Sequence, residues 1–449
     1  MQGVTRILSA YVASSRFDQL PERIRHEGVR AFVNWAGCAA GGSREDTVEK
    51  CLPLLAQFDG AQKTTVIGRH EQLDALNAAL INSMSSAVLA FNDTHFTTVA
   101  HPTSPVAATL FSLAQTRVLA GKDFVHALIL GIEIQCRVGN ILCTPPAECG
   151  VGLSMQGLVG GMGAAVAAAK VLGLDENGIA TAIGHAANQA AGLREAHATM
   201  GSAFTPAHAA RCGLMAALLA ERGFTGPDQV IEGPKGFAVS YGQRPNFAAA
   251  LSRLGEAFEI SKLAYKPYPS GFVIHPIIDA CLQIARNNAL DPAQIERIEL
   301  EVNPLAVQLT SRPEPKNRSH ALVSLQHWTA ASLVHKAAGI AQVTDAMVRD
   351  PVLAELRRKV TVTACPDIGR EAARARVILK NGKRMEAAVQ DCIGSEGRPM
   401  TDHEISEKTA AQLRQVFAPD VAAQITAACW AIEPAPRVDT LCQRLGTQA

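Results

Sequence analysis

A chain of 449 residues, 48% hydrophobic and 18% charged, is long enough to bury a large core and falls among folded rather than disordered compositions. Its formal net charge of +1 removes the electrostatic case for a nucleic-acid partner. The 11 cysteines are scattered without a Cys-x-x-Cys pair, which excludes zinc-finger, iron–sulfur and disulfide-framework patterns and reads as buried thiols in a reducing, cytoplasmic setting.

In chain order, Met1 to Ser15 carries one arginine and no sustained apolar run, so no secretory signal is expected. From Pro21 to about Ala264 apolar residues recur at three- and four-residue spacing. That spacing predicts helices over Asp74–Phe91, Pro105–Ala120, Gly157–Leu172 and Ala207–Arg222. Thr103-Ser104-Pro105 and Thr205-Pro206 each read as a cap followed by proline in the first helical turn, and Gly121 and Gly223 read as stops. Leu153–Ala169 is the most apolar stretch and is about long enough to span a bilayer, but Ser154, Gln156 and its glycines fit a tightly packed buried helix better. No membrane association is expected. Gly157, Gly160, Gly161 and Gly163 lack the preceding strand and the later acidic residue of a dinucleotide-binding unit, so they too read as packing glycines.

The pattern changes near Lys266. Alternation predicts strands at Ile298–Val302, Lys359–Ala364, Arg374–Lys380 and Arg384–Val389, the last two joined by an Asn381-Gly382 hairpin turn. Helical patterns at Ser324–Ala338 and Asp345–Arg358 lie between them. The expected architecture is mainly α with a smaller α+β domain: a large all-helical domain over residues 1–265, an α+β lid over 266–397, and an active-site cleft between them. Residues 398–449, opening on the capping sequence Thr401-Asp402-His403-Glu404, are expected to pack back on the helical domain.

Four loops combine polar side chains with a predicted helix start, where unpaired backbone N–H groups favour an anion. The first carries Asp93, Thr94, Thr97, His101 and Ser104; the second, Ser154 and Gln156; the third, Thr205 and His208. The fourth carries Lys266, Tyr268 and Ser270, followed by His275 and Asp279 at helical spacing. Converging helix starts with one lysine and one histidine suit a substrate bearing two or three carboxylates. Taken singly, each residue has a commoner structural role: Asp93 and His101 as caps, Lys266 as a solvated loop lysine, His275 and Asp279 as a helix-face pair. No metal-ligand spacing is present.

Phe91–His95 (FNDTH) with His101–Pro105 (HPTSP), Gly157–Leu174 (GLVGGMGAAVAAAKVLGL), Ala186–Leu193 (AANQAAGL) and Lys266–Pro276 (KPYPSGFVIHP) resemble, in order and spacing, the MmgE/PrpD family. The family includes 2-methylcitrate dehydratases, cis-aconitate decarboxylases and iminodisuccinate epimerases. The resemblance implies a helical domain with an α+β lid, a homodimer, no cofactor, and acid–base chemistry on small di- or tricarboxylates. It matches Asp93, Thr94 and His101 to the family's first loop and Lys266 to its lysine, and places His327 where related enzymes often have tyrosine. Departures are equally specific. A second aspartate of decarboxylase-like members falls at Ala90, a loop histidine at Ser154, a loop lysine at Thr205, and another histidine at Gly271.

Epimerisation makes the smallest demand on such a site, since it needs only α-proton removal, an enediolate held briefly, and proton return. The leading expectation is therefore an iminodisuccinate-epimerase-like enzyme. In it His101 and Lys266 transfer protons and Asp93 orients His101, while Thr94, Thr97, Ser104, Ser154, Gln156, Thr205, Tyr268, Ser270 and His327 bind substrate. The alternatives are a 2-methylcitrate-dehydratase-like or cis-aconitate-decarboxylase-like lyase, and a non-catalytic carboxylate-binding member.

Overall fold

A computed structural model describes residues 3–60 and 63–447. The chain is mainly helical with a small sheet component, the class expected from its periodicity. It divides into two compact units: Met1–Val88 with Asn92–Leu263 and Asp402–Ala449, and Leu89–Phe91 with Ala264–Thr401.

In the first unit the helices Glu22–Gly42, Ala75–Ala87, Thr103–Leu113, Gly121–Cys143, Met155–Val171 and Gly201–Glu221 pack against one another. Small residues let the last two approach closely. A methyl group added at Gly213 would lie 2.4 Å from Ala164 Cβ and 2.5 Å from Gly161 O, and one at Gly157 2.7 Å from Thr205 Cγ2. The glycine-rich sequence is thus a helix contact. Gly121–Cys143 is long and apolar enough to cross a membrane by length and composition, yet its whole apolar window is buried inside this unit. It also carries a buried ion pair between Glu133 and Arg137, at 2.6 Å, as a core helix with polar anchoring does.

Caps decide where these helices begin. The Asp74 carboxylate accepts from Leu76 N and Asn77 N at 2.9 and 3.1 Å, and the helix it starts stops at Ala87, short of the predicted Phe91. Thr205-Pro206 does not open a helix as expected. The helix begins at Gly201, and Pro206 sits inside it, five residues on. Only one intrahelical bond is lost there, and packing on both sides outweighs that loss. The C-terminal helix Asp402–Leu413 lies on Glu22–Gly42: Thr409 Oγ1 donates to Val33 O at 3.1 Å and Lys408 Nζ to Asn34 Oδ1 at 2.6 Å. Gly37 makes this contact possible, because a Cβ there would lie 2.8 Å from Thr409 Cα.

The second unit holds a four-stranded mixed sheet in the order Arg384–Val389, Ala373–Leu379, Ile295–Val302, Val360–Ala364. The last pair is parallel and the other two antiparallel. Ile298, Leu300 and Val302 are buried, whereas Glu299 and Glu301 meet Arg376 and Arg374 on the opposite face. This is the alternation the sequence displays. Gly382, at φ +82°, supplies the left-handed turn of the hairpin. The helix expected over Asp345–Arg358 is two helices, Asp345–Arg349 and Pro351–Arg358. Pro351 has no N–H to continue the first, and the Asp350 carboxylate caps the second through Val352 N and Leu353 N.

Candidate active site

The first polar loop is a hairpin. His95 N donates to Ala100 O at 2.9 Å, which brings His101 back beside the short strand Asp93–His95. The Asp93 carboxylate accepts from Thr103 N at 3.1 Å and from Thr103 Oγ1 at 2.8 Å, so it caps the helix Thr103–Leu113. The Asp93 backbone oxygen lies 2.6 Å from His101 Nδ1, with Thr94 Oγ1 at 3.2 Å. A carbonyl can only accept, so Nδ1 carries a proton and Nε2 is the basic nitrogen of the neutral ring. Thr97 lies on the exposed turn, and its neighbour Thr98 is the buried hydroxyl of the loop. Ser104 is buried and accepts from Ser86 Oγ at 3.0 Å and Asn92 Nδ2 at 3.2 Å.

The second and third loops meet. Ser154 precedes the helix Met155–Val171 without a side-chain cap, and its N–H donates to Gly192 O at 3.1 Å. A Cβ at Gly192 would lie 2.9 Å from Thr205 Cγ2 and 3.3 Å from Ser154 Cβ, so these two side chains flank one glycine. Thr205 Oγ1 bonds Gly201 O at 3.3 Å within its helix, and half-buried Gln156 stands in the first turn of its own. The helix Ala75–Ala87 links this pair to the first loop, because Ser83 Oγ donates to Pro206 O at 3.0 Å while Ser86, one turn on, reaches Ser104. Neither serine stands out in the sequence: each lies on an apolar helix with no motif around it.

In the second unit Lys266 is only 2% exposed, and its ammonium donates to Ala90 O at 3.2 Å. Ala90 lies three residues before Asp93 and has φ +50°, in the left-handed region. Tyr268 Oη donates to Asp279 Oδ1, and Asp279 Oδ2 accepts from Ile393 N at 2.8 Å. Burial pushes the Tyr268 hydroxyl up, and Asp279 adds to the shift; burial pushes the Asp279 carboxyl up as well. Tyr268 and Asp279 therefore fix the lysine loop to the helix His275–Asn287, a structural use the sequence reading did not assign. Ser270 is buried, but a single turn at Phe272–Ile274 separates it from that helix, so it is not at a helix start as expected. The His275 ring packs against Tyr268 and Phe272, with centroids 5.4 and 4.7 Å away.

His327 lies in the helix Leu325–His335 of the second unit. It is fully buried, its Nε2 donates to Gln342 O at 2.9 Å, and its Nδ1 lies 3.3 Å from Arg357 Nη1. Burial holds its pKa down to about 4, so the ring is neutral. Both ring nitrogens thus have partners within the second unit.

Within the first unit the loops hold buried hydroxyls and one oriented imidazole, and within the second unit Lys266 holds a buried ammonium. Comparison with known proteins supplies the family. The MmgE/PrpD N-terminal domain model matches residues 6–250 and the MmgE/PrpD C-terminal domain model residues 268–432. The chain belongs to the MmgE/PrpD family. It is 24% identical over 440 residues to a cis-aconitate decarboxylase of Mus musculus, covering 94% of this chain and 88% of that enzyme. The corresponding figures are 23% over 435 residues for a cis-aconitate decarboxylase of Homo sapiens (94% and 90%) and 24% over 442 residues for one of Aspergillus terreus strain NIH 2624 (90% and 88%).

Proposed function

We propose that this chain is a lyase acting on a small di- or tricarboxylate through an enediolate intermediate. The observation that carries the reading is its similarity to cis-aconitate decarboxylases along 90–94% of its length. These comparisons favour the lyase over the epimerase expected from the sequence.

In a decarboxylation of this kind the bond from carbon to the departing carboxylate breaks and CO₂ leaves. The electron pair moves through an adjacent alkene onto a second carboxylate, and one proton returned to carbon completes the turnover. Lys266, a buried cation, is the group proposed to stabilise the enediolate. His101, with Nδ1 tied to Asp93 O, moves the proton at Nε2. Thr94, Ser104, Ser154, Gln156 and Thr205 offer hydroxyl and amide groups to the carboxylates. The homodimer and cytoplasmic setting implied by the family are part of the same proposal.

His101→Ala and Lys266→Ala should each lower turnover by roughly 10²–10⁴ with the far-ultraviolet circular dichroism unchanged. Near-wild-type turnover in either variant removes that residue from the mechanism. One observation favours an epimerase as the second reading. The family's loop histidine and loop lysine fall at Ser154 and Thr205, which meet across Gly192, so the loss of positive groups is concentrated in one corner. A third such position, Gly271, has only Thr310 Cγ2 near an added Cβ, at 3.7 Å. A less cationic site suits a reaction with less charge to stabilise.

A further inference from the structure

Besides His101, the first-loop hairpin carries a second imidazole to which no role has been given. His95 is fully buried, with Nδ1 2.9 Å from Thr98 Oγ1 and Nε2 2.9 Å from Glu259 Oε2. A carboxylate only accepts, so Nε2–H donates to Glu259. The other Glu259 oxygen accepts from Lys262 Nζ at 2.8 Å, and the Glu259 N–H donates to Glu133 Oε2 at 2.6 Å. Glu133 in turn holds Arg137 Nε at 2.6 Å, and the Arg137 guanidinium donates to the carbonyls of Ala250, Ser252 and Ala257 at 2.8, 3.0 and 2.6 Å. A continuous run of charge-assisted hydrogen bonds therefore leads from the hairpin into the core helix Gly121–Cys143.

Such a run is a costly way to gain stability alone, since apolar residues of similar volume do as well or better. It does fix geometry. The hairpin needs fixing, because Val99, a β-branched residue, has φ +54° two positions before His101. His95 holds both sides of that turn. Its backbone N–H bonds Ala100 O, and its ring bonds Thr98, whose hydroxyl also accepts from Ala100 N at 3.4 Å. The two ends of the contact between Asp93 O and His101 Nδ1 lie two residues before His95 and six after it.

We propose that His95 and Glu259 are positioning residues that hold the hairpin so that His101 keeps its proton on Nδ1 and presents Nε2 as the base. The assignment rests on the proton-transfer role given to His101 above, but its geometric part stands apart from turnover. Burial raises the Glu259 pKa, yet hydrogen bonds from His95 and Lys262 bring it to about 2, as a permanently ionised anchor requires.

The test uses full-length protein with ¹⁵N-labelled histidine, read by long-range proton–nitrogen spectra, with the His101 signal assigned from His101→Gln. Wild type should give an Nδ1-protonated ring. Glu259→Gln and His95→Gln should convert that signal toward a tautomer mixture and lower kcat roughly 10- to 100-fold with KM within about threefold. An unchanged His101 signal in folded Glu259→Gln and His95→Gln would overturn the proposal. If His95→Gln does not fold, Thr98→Val removes only the hydroxyl partner and is judged by the same signal, with an unchanged signal again overturning the proposal. If the tautomer responds while His101→Gln keeps full turnover, positioning is upheld and the proton-transfer role of His101 falls.

Discussion

At Asp93 two jobs that one sequence letter could suggest are divided between two parts of the residue. The carboxylate caps the helix Thr103–Leu113 through Thr103, and the backbone oxygen orients His101. Removing the side chain therefore should not remove the orienting atom. Asp93→Ala is expected to lose about 1 kcal/mol of stability, the usual effect of losing a cap. Its turnover should fall far less than that of His101→Ala. Thermal melts and steady-state rates on the two variants separate these effects, and equal losses of turnover would show that the carboxylate itself acts in the chemistry. The sequence made Asp93 and His101 visible as residues but hid the bond between them, because a backbone acceptor leaves no trace in residue type.

His327 makes a second residue-scale prediction. Its pKa of about 4 lies below the ordinary 6.5 of histidine because burial disfavours the charged ring. A histidine of this kind favours folding while it is neutral. That contribution is complete above pH 6.5 and disappears as pH falls toward 4. Denaturation midpoints should decline through that window, and His327→Gln should flatten the decline. A decline that begins only below pH 4.5, where Glu71 and Glu259 are protonated toward their values of about 2, would assign it to carboxylates instead. Read from sequence, His327 stood at a site position only by resemblance; its burial and its partners Gln342 and Arg357 come from helix packing that no local pattern encodes.

At the scale of elements, periodicity located the helices and strands, and local capping chemistry set their ends. The alternation in Ile295–Val302 and the Asn381-Gly382 turn appear in the sheet as they read in the sequence. Pro206 and Pro351 show why proline alone is an ambiguous signal. Pro351 starts a helix because Asp350 caps it, whereas Pro206 lies within one because five residues before it were already helical. The glycines of Met155–Val171 read correctly as packing positions, and the tightest contact of that helix with Gly201–Glu221 is made from the other side, by Gly213. Gly213→Ala should cost about 1–3 kcal/mol, since the added methyl would lie 2.4 Å from Ala164 Cβ and 2.5 Å from Gly161 O. Chemical denaturation measures this directly, and a variant as stable as wild type would mean the two helices separate without cost.

Over the whole molecule, the family could be read from four sequence blocks, and the reaction could not. Blocks such as Lys266–Pro276 record a scaffold shared by members with different chemistry, while reaction type depends on which polar groups face the substrate. The sequence favoured an epimerase because positive groups are missing at Ser154, Thr205 and Gly271. The similarity to decarboxylases along nearly the full chain favours a lyase. The C-terminal segment from Asp402 is counted with the helical unit, so residues more than 350 positions apart brace the same helices, as Lys408 and Asn34 do. Its packing partner could not be named from sequence, because Gly37 and Thr409 fit by shape alone.

The measurement that bears most directly on the lyase reading is proton NMR of purified protein in D₂O with cis-aconitate, citrate, 2-methylcitrate and iminodisuccinate. The proposal predicts new vinylic resonances from one tricarboxylate, with release of CO₂ or water. Loss of an α-proton signal with inversion of configuration and no new alkene would contradict it and return the chain to the epimerase reading.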